Sequence, residues 1–160
     1  MMNGVEIKDI LSKRLGKQFK GVYSKDEVEA LQQENRPSAY VFNTRPSSVQ
    51  FGHWIGIYIQ RNGRAVFFDS FGRSPADLGF SNFLDKHAKT WQYNNIPIQN
   101  PFTAVCGQHV ICFLLNVHNI QSWINKFCTN LLSNDKLVCR TVKSTFNVDA
   151  PLYPDVELLM

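Results

Sequence analysis

Several things are scarce in this 160-residue chain, and each scarcity removes a class of protein. Charged residues make up only 19% of it, too few for a disordered or tail-like composition. The four cysteines include no Cys-x-x-Cys pair and no zinc-ribbon spacing, so neither a disulfide framework nor a structural zinc site is indicated. No asparagine opens an Asn-x-Ser/Thr sequon, and no glycine-rich phosphate loop is present. The longest nearly charge-free apolar run, from Phe102 to Val117, is too short and interrupted to span a bilayer. The opening Met1 to Asp9 mixes charge with apolar residues, which predicts no cleavable secretory leader.

What is present is a core-forming composition: 44% hydrophobic and 12% aromatic residues. The length predicts one domain over 1–160. The net charge of +4 is spread along the chain, which permits contact with DNA without requiring it. Unpaired, irregularly spaced cysteines predict a reducing intracellular compartment rather than secretion.

Periodicity predicts an α+β fold. Val5, Ile7, Ile10, Leu11 and Leu15 recur at helical spacing before Gly16. Strands are predicted over Ala39–Asn43, His53–Gln60, Arg64–Asp69 and Trp91–Gln99, with helices over Pro75–Lys89, Cys106–Asn119 and Gln121–Leu132. The tail from Lys136, with Pro151 and Pro154, gives no clear pattern. Arg61-Asn62-Gly63 is a hairpin signal whose length matters. A two-residue turn would put Asp69 opposite Gly56, on the face away from His53. A three-residue turn with Gly63 left-handed shifts the register by one, so that Asp69 opposes Ile55 and shares a face with His53.

That register matters because the residues capable of chemistry are far apart in sequence. Cys106-Gly107 opens the most apolar predicted helix, after a proline-containing loop. Unsatisfied N–H groups at a helix start favour a thiolate over a thiol. His53 is the candidate base, with Gly52 before it leaving room for a substrate backbone and Trp54 after it to cover the imidazole. Asp69 is the candidate orienter of that imidazole. Gln99 is the candidate oxyanion donor, its amide converging with the Cys106 backbone N–H. His109 is a rival base, but three residues after Cys106 it is expected to pack along the helix side. Cys106, His109 and Cys112 share one helix, where zinc ligands would not converge. Cys112, Cys128, Cys139, His87 and His118 have no setting that raises them above ordinary core or surface residues.

As a set, Asn43-Thr44, Gly52-His53-Trp54, Phe68-Asp69-Ser70-Phe71-Gly72 and Gln99 through Cys106-Gly107 resemble the adenovirus protease (adenain) family. Its Polinton/Maverick and adintovirus-type relatives share the likeness, which covers roughly residues 5–125 and includes the stretch Ile10 to Tyr23. The resemblance implies a papain-related fold, a mainly antiparallel central sheet packed against the nucleophile-bearing helix. It also implies a His53–Asp69–Cys106 triad, Gln99 at the oxyanion and Trp54 beside the base. It further implies a viral or element-encoded cysteine endopeptidase that matures virion precursors at glycine-containing sites, acting in the host nucleus or cytoplasm and in the virion. Adenovirus enzymes carry glutamate where this chain has Asp69; the related SUMO-protease clan uses aspartate. No cofactor is demanded by the residues, while the family suggests an activating peptide or DNA. All four cysteines lie at or after Cys106, so the earlier cysteine that tethers the adenovirus peptide has no counterpart. Two alternatives stay open: an isopeptidase for ubiquitin-like conjugates on the same fold, and an inactive DNA-binding or capsid-associated domain. Oligomeric state is not indicated.

Overall fold

The computed structural model describes residues 1–49, 52–149 and 151–153. The chain starts with helix α1 (Gly4–Leu15), capped by the Asn3 side chain, which accepts from Glu6 N–H at 2.9 Å. A 3₁₀ turn leads into strand β1 (Phe19–Tyr23), and a second, over Lys25–Ala30, into β2 (Ser38–Asn43). Strands β3 (Trp54–Ile59) and β4 (Arg64–Phe68) form a hairpin. Helices α2 (Pro75–Leu78) and α3 (Ser81–His87) precede β5 (Thr90–Tyr93). Helices α4 (Cys106–Leu115), α5 (Ile120–Ile124) and α6 (Leu131–Phe146) complete the order.

The strands form one sheet in the order β1-β2-β3-β4-β5. Its central pairings, β2 with β3 and β3 with β4, are antiparallel; the outer strands β1 and β5 join in parallel. Both faces of the central strands are covered, so β2 and β3 read as unbroken apolar runs. Side chains alternate between the faces. Ala39, Val41, Trp54, Tyr58 and Phe68 meet α1, α4 and α6. Tyr40, Phe42, Ile55, Ile57 and Phe67 meet Val28 and the α3 side chains Phe83 and Leu84. Helix α4, apolar apart from Gln108 and His109, is buried over Cys106–Leu114, as expected of a helix enclosed by sheet and helices.

The hairpin takes the three-residue form. Gln60 N–H bonds the Arg64 carbonyl, Gly63 adopts φ 89°, and Ile57 pairs with Phe67. Continued by one step beyond Gly56 and Phe68, this register sets Asp69 against Ile55.

Elsewhere the predicted elements need correction. The expected helix over Pro75–Lys89 is two, because Gly79 ends α2 in the left-handed conformation. The strand expected over Trp91–Gln99 stops at Tyr93; Asn94 turns back to bond Asp69, and the chain continues as a loop. The helix expected over Gln121–Leu132 is only α5, followed by a break before α6. The tail from Lys136 is helical as far as Phe146, within α6; two of the four buried residues of that helix, Asn134 and Asp135, are polar. Beyond α6 the chain returns to α4's approach, where Ala104 N–H donates to Leu152 O at 2.8 Å; Pro154 lies outside the described residues. Strand β1, half-buried throughout, had no predicted counterpart.

Candidate active site

His53, Asp69 and Cys106 meet at one end of the sheet. His53 immediately precedes β3 and Asp69 immediately follows β4, so antiparallel pairing brings them together. Asp69 is fully buried. Its Oδ1 accepts from His53 Nε2 at 2.5 Å and from Phe71 N–H at 3.2 Å. Its Oδ2 accepts from Arg73 N–H at 3.0 Å and Arg73 Nε at 2.9 Å. The Asn94 amide clamps the Asp69 backbone from both sides.

Burial alone would raise the Asp69 pKa, but hydrogen bonds from His53 and Arg73 hold it down at about 2. Burial likewise pulls the imidazole down, yet the bonds to Asp69 and to the Cys106 sulfur outweigh it and raise His53 to about 9. With Nε2–H donated to an ionised carboxylate, Nδ1 is the ring nitrogen left for the sulfur.

Cys106 sits on the first turn of α4, 3% exposed. Trp54 backbone N–H points at its sulfur, 3.5 Å away. The first helical-type bond into α4 is His109 N–H to Val105 O, at 3.1 Å. The N–H groups of Cys106 and Gly107 therefore lie ahead of the helical ladder, free to face developing negative charge.

The remaining expected residues take other positions. Trp54 does not cover the imidazole. In an extended chain neighbouring side chains point to opposite faces, so its indole packs beside Gly107 and Gly4 and donates Nε1–H to Met2 O at 3.0 Å. The ring that covers His53 is Phe71, stacked at 4.7 Å and 22°, with the Arg73 guanidinium beyond it, 5.3 Å from the Phe71 ring. A Cβ on Gly52 would lie 1.9 Å from Asn43 Oδ1, so the Asn43 carboxamide is what requires glycine there. A Cβ on Gly107 would lie 3.1 Å from Met2 Cβ and 3.3 Å from Ile7 Cδ1; this glycine admits α1 against the nucleophile's turn.

Gln99 is buried but turned from the role expected of it. Its Oε1 accepts from Ser70 Oγ at 2.5 Å, and its Nε2 donates to Thr103 O at 3.0 Å and lies 3.3 Å from Thr103 Oγ1. In this conformation its amide is committed to the loop, and the backbone N–H groups at Cys106 are the donors beside the sulfur. His109 packs along the helix, fully buried, with Nε2 2.8 Å from Asp135 Oδ1. Burial lowers its pKa despite that carboxylate, and the bond to Asp135 holds it along the side of the helix.

Phe71, Arg73, Asn94 and Trp54 N–H were not singled out in the sequence. Phe71 and Arg73 carried one usable signal, their closeness to Asp69. The roles of Asn94 and of a backbone amide have none. No group of three or more His, Cys, Asp or Glu side chains among the described residues is arranged to hold a metal ion. No helix among them is long and apolar enough to cross a membrane.

No protein-family model matches the chain, and no curated protein matches it in sequence. Among solved structures, the crystal structure of the Se-Met ASFV pS273R protease is similar. The likeness has a TM-score of 0.54 at 16% identity and covers 86% of this chain and 66% of that one. The mixed α/β architecture, a five-stranded sheet packed against helices, is thus the fold of a protease of that type.

Proposed function

We propose that this chain is a cysteine endopeptidase, viral or mobile-element encoded, that cleaves virion precursor proteins at glycine-containing sites. One observation carries the reading: a partly buried imidazole lies between an ionised carboxylate and a sulfur at a helix start. The raised His53 pKa keeps the imidazole protonated beside the Cys106 sulfur, ready to act as the acid such a reaction needs.

The Cys106 thiolate attacks the scissile carbonyl carbon. The oxygen gains negative charge and is met by the Cys106 backbone N–H. Collapse breaks the C–N bond as His53 Nδ1–H passes its proton to the leaving amine, leaving a thioester on Cys106. Water then attacks the thioester, with neutral His53 accepting its proton, and the acid product and thiolate are released. Asp69 stays ionised throughout, orienting the ring and stabilising the imidazolium. The resemblance to the adenovirus protease family supports the substrate class, and the fold shared with the ASFV enzyme supports peptide-bond hydrolysis. The resemblance also admits peptide or DNA activation.

The test has two parts. Intact-mass analysis after limited iodoacetamide treatment should show one fast adduct at Cys106 that slows sharply in His53→Ala. Equal labelling of both proteins would leave an ordinary thiol and remove the proposal. Glycine-containing virion precursor fragments and ubiquitin-like fusions are then offered side by side. Preferential cleavage of the precursors, abolished in Cys106→Ala, is the expected result; preference for the fusions would make the chain an isopeptidase.

A further inference from the structure

Behind the nucleophile runs a chain of buried polar side chains that the reaction above does not use. Ser70, the residue after the triad acid, donates Oγ–H to Gln99 Oε1 at 2.5 Å. Gln99 Nε2 donates to Thr103 O. Thr103 Oγ1–H reaches Asp135 Oδ2 at 2.7 Å, and Asp135 Oδ1 meets His109 Nε2 at 2.8 Å. Asn100 N–H also points at Asp135 Oδ2, at 3.2 Å. Next to Asp135 on α6, Asn134 donates Nδ2–H to Ile98 O at 3.0 Å. Ser70, Gln99, Thr103, His109, Asn134 and Asp135 are all buried.

Buried polar groups are costly unless paired, and a paired network fixes one geometry in place of many; here every polar side-chain atom of the six is bonded except His109 Nδ1. This network joins four pieces of the fold: the end of β4, the loop 99–105, and helices α4 and α6. The loop ends at Cys106, and His109 lies on the first turn behind it. Building on the cysteine-protease reading, we infer that Asp135 and Thr103 are positioning residues. By pinning the loop and the first turn of α4 to α6, they set the Cys106 sulfur against His53 and hold the Cys106 N–H where the oxyanion forms. Asp135 touches neither the Cys106 sulfur nor the His53 ring in this arrangement; its bonds go to Thr103, Asn100 and His109.

Thr103→Val removes the hydroxyl and keeps the shape, Thr103→Ser keeps the hydroxyl, and Asp135→Asn removes the charge. The rate of iodoacetamide labelling at Cys106 is followed against pH in the full chain, a readout that needs no substrate. The groups facing the sulfur and imidazole, namely His53, Asp69 and Arg73, are unchanged in every variant. Thr103→Val is expected to label about tenfold or more slowly near neutrality, its profile moving toward that of an ordinary thiol. The kcat for a cleaved peptide should fall between about tenfold and a hundredfold with KM little changed, the cost of a small misplacement of reacting groups. Thr103→Ser should recover most of both. Wild-type labelling in Thr103→Val, or equal losses in Val and Ser, would overturn the inference. If Asp135→Asn fails to fold, the Thr103 pair still decides. A wild-type protein with an ordinary thiol profile would instead sink the protease reading, a separate outcome.

Discussion

At the residue scale the decisive group is Asp69, because everything unusual about His53 follows from it. A carboxylate with four hydrogen bonds stays ionised inside the protein and keeps the imidazole protonated far above its ordinary value of 6.5. A raised imidazole pKa stabilises the folded state fully below about 6.5 and ceases to as pH rises through about 9. The depressed carboxyl stabilises it above 3.8 and ceases to as pH falls through about 2. The pair's contribution is therefore whole between about 3.8 and 6.5. In the proposed reaction the imidazolium is the acid for the leaving amine, so kcat/KM should fall as pH passes about 9. Asp69→Asn should move that alkaline limb down toward 6.5 and lower kcat, measured by the pH–rate profile. A limb that stayed in place would mean the carboxylate does not set the imidazole.

At the scale of elements, short connections decide the site. The hairpin turn at 61–63 sets which face Asp69 occupies, and its form could be argued from Asn62-Gly63 and from the need for Asp69 and His53 to meet. The loop before β3 was read for the wrong reason. Gly52 looked like room for substrate, whereas the Asn43 side chain occupies the space a Cβ would need. Asn43 Oδ1 also accepts from Arg45 N–H at 2.9 Å, so that carboxamide cannot simply swing aside. Gly52→Ala is expected to cost about 1–3 kcal/mol by overpacking, seen as a lower urea midpoint with unchanged m-value. A neutral result would show the 43–45 turn to be free to move. Helix α6 is amphipathic, but its inward face mixes apolar Leu137, Val138, Val142 and Phe146 with Asn134 and Asp135, which hold a loop.

At the scale of the whole molecule, the placement of Cys106 depends on α4 packing against the sheet. Phe113, fully buried, stacks on Phe68 at 4.7 Å and 10°, tying the far end of α4 to the strand that ends beside Asp69. Phe113→Ala should destabilise the fold by about 3–5 kcal/mol, as large core truncations do, measured by chemical denaturation. A loss below about 1 kcal/mol would show that this face of the core repacks freely. The polar relay beneath the 99–105 loop works at the same scale, since it joins β4, α4 and α6, elements far apart in the chain.

The order of apolar and polar residues was enough to specify the central strands, the buried nucleophile helix with cysteine at its start, and the trio His53, Asp69 and Cys106. Those features follow from local periodicity, a turn motif and the chemistry each residue type can perform, all written in short stretches of chain. Packing alone decided that Phe71 rather than Trp54 shields the imidazole, that Gln99 is held by Thr103, and that Asp135 anchors the nucleophile's loop. Apart from Gln99 and Thr103, which are near neighbours in the chain, these are contacts between distant segments, such as the 35 residues between Asn100 and Asp135. Their energies come from which buried polar groups find partners, a condition that exists only once the chain has closed on itself.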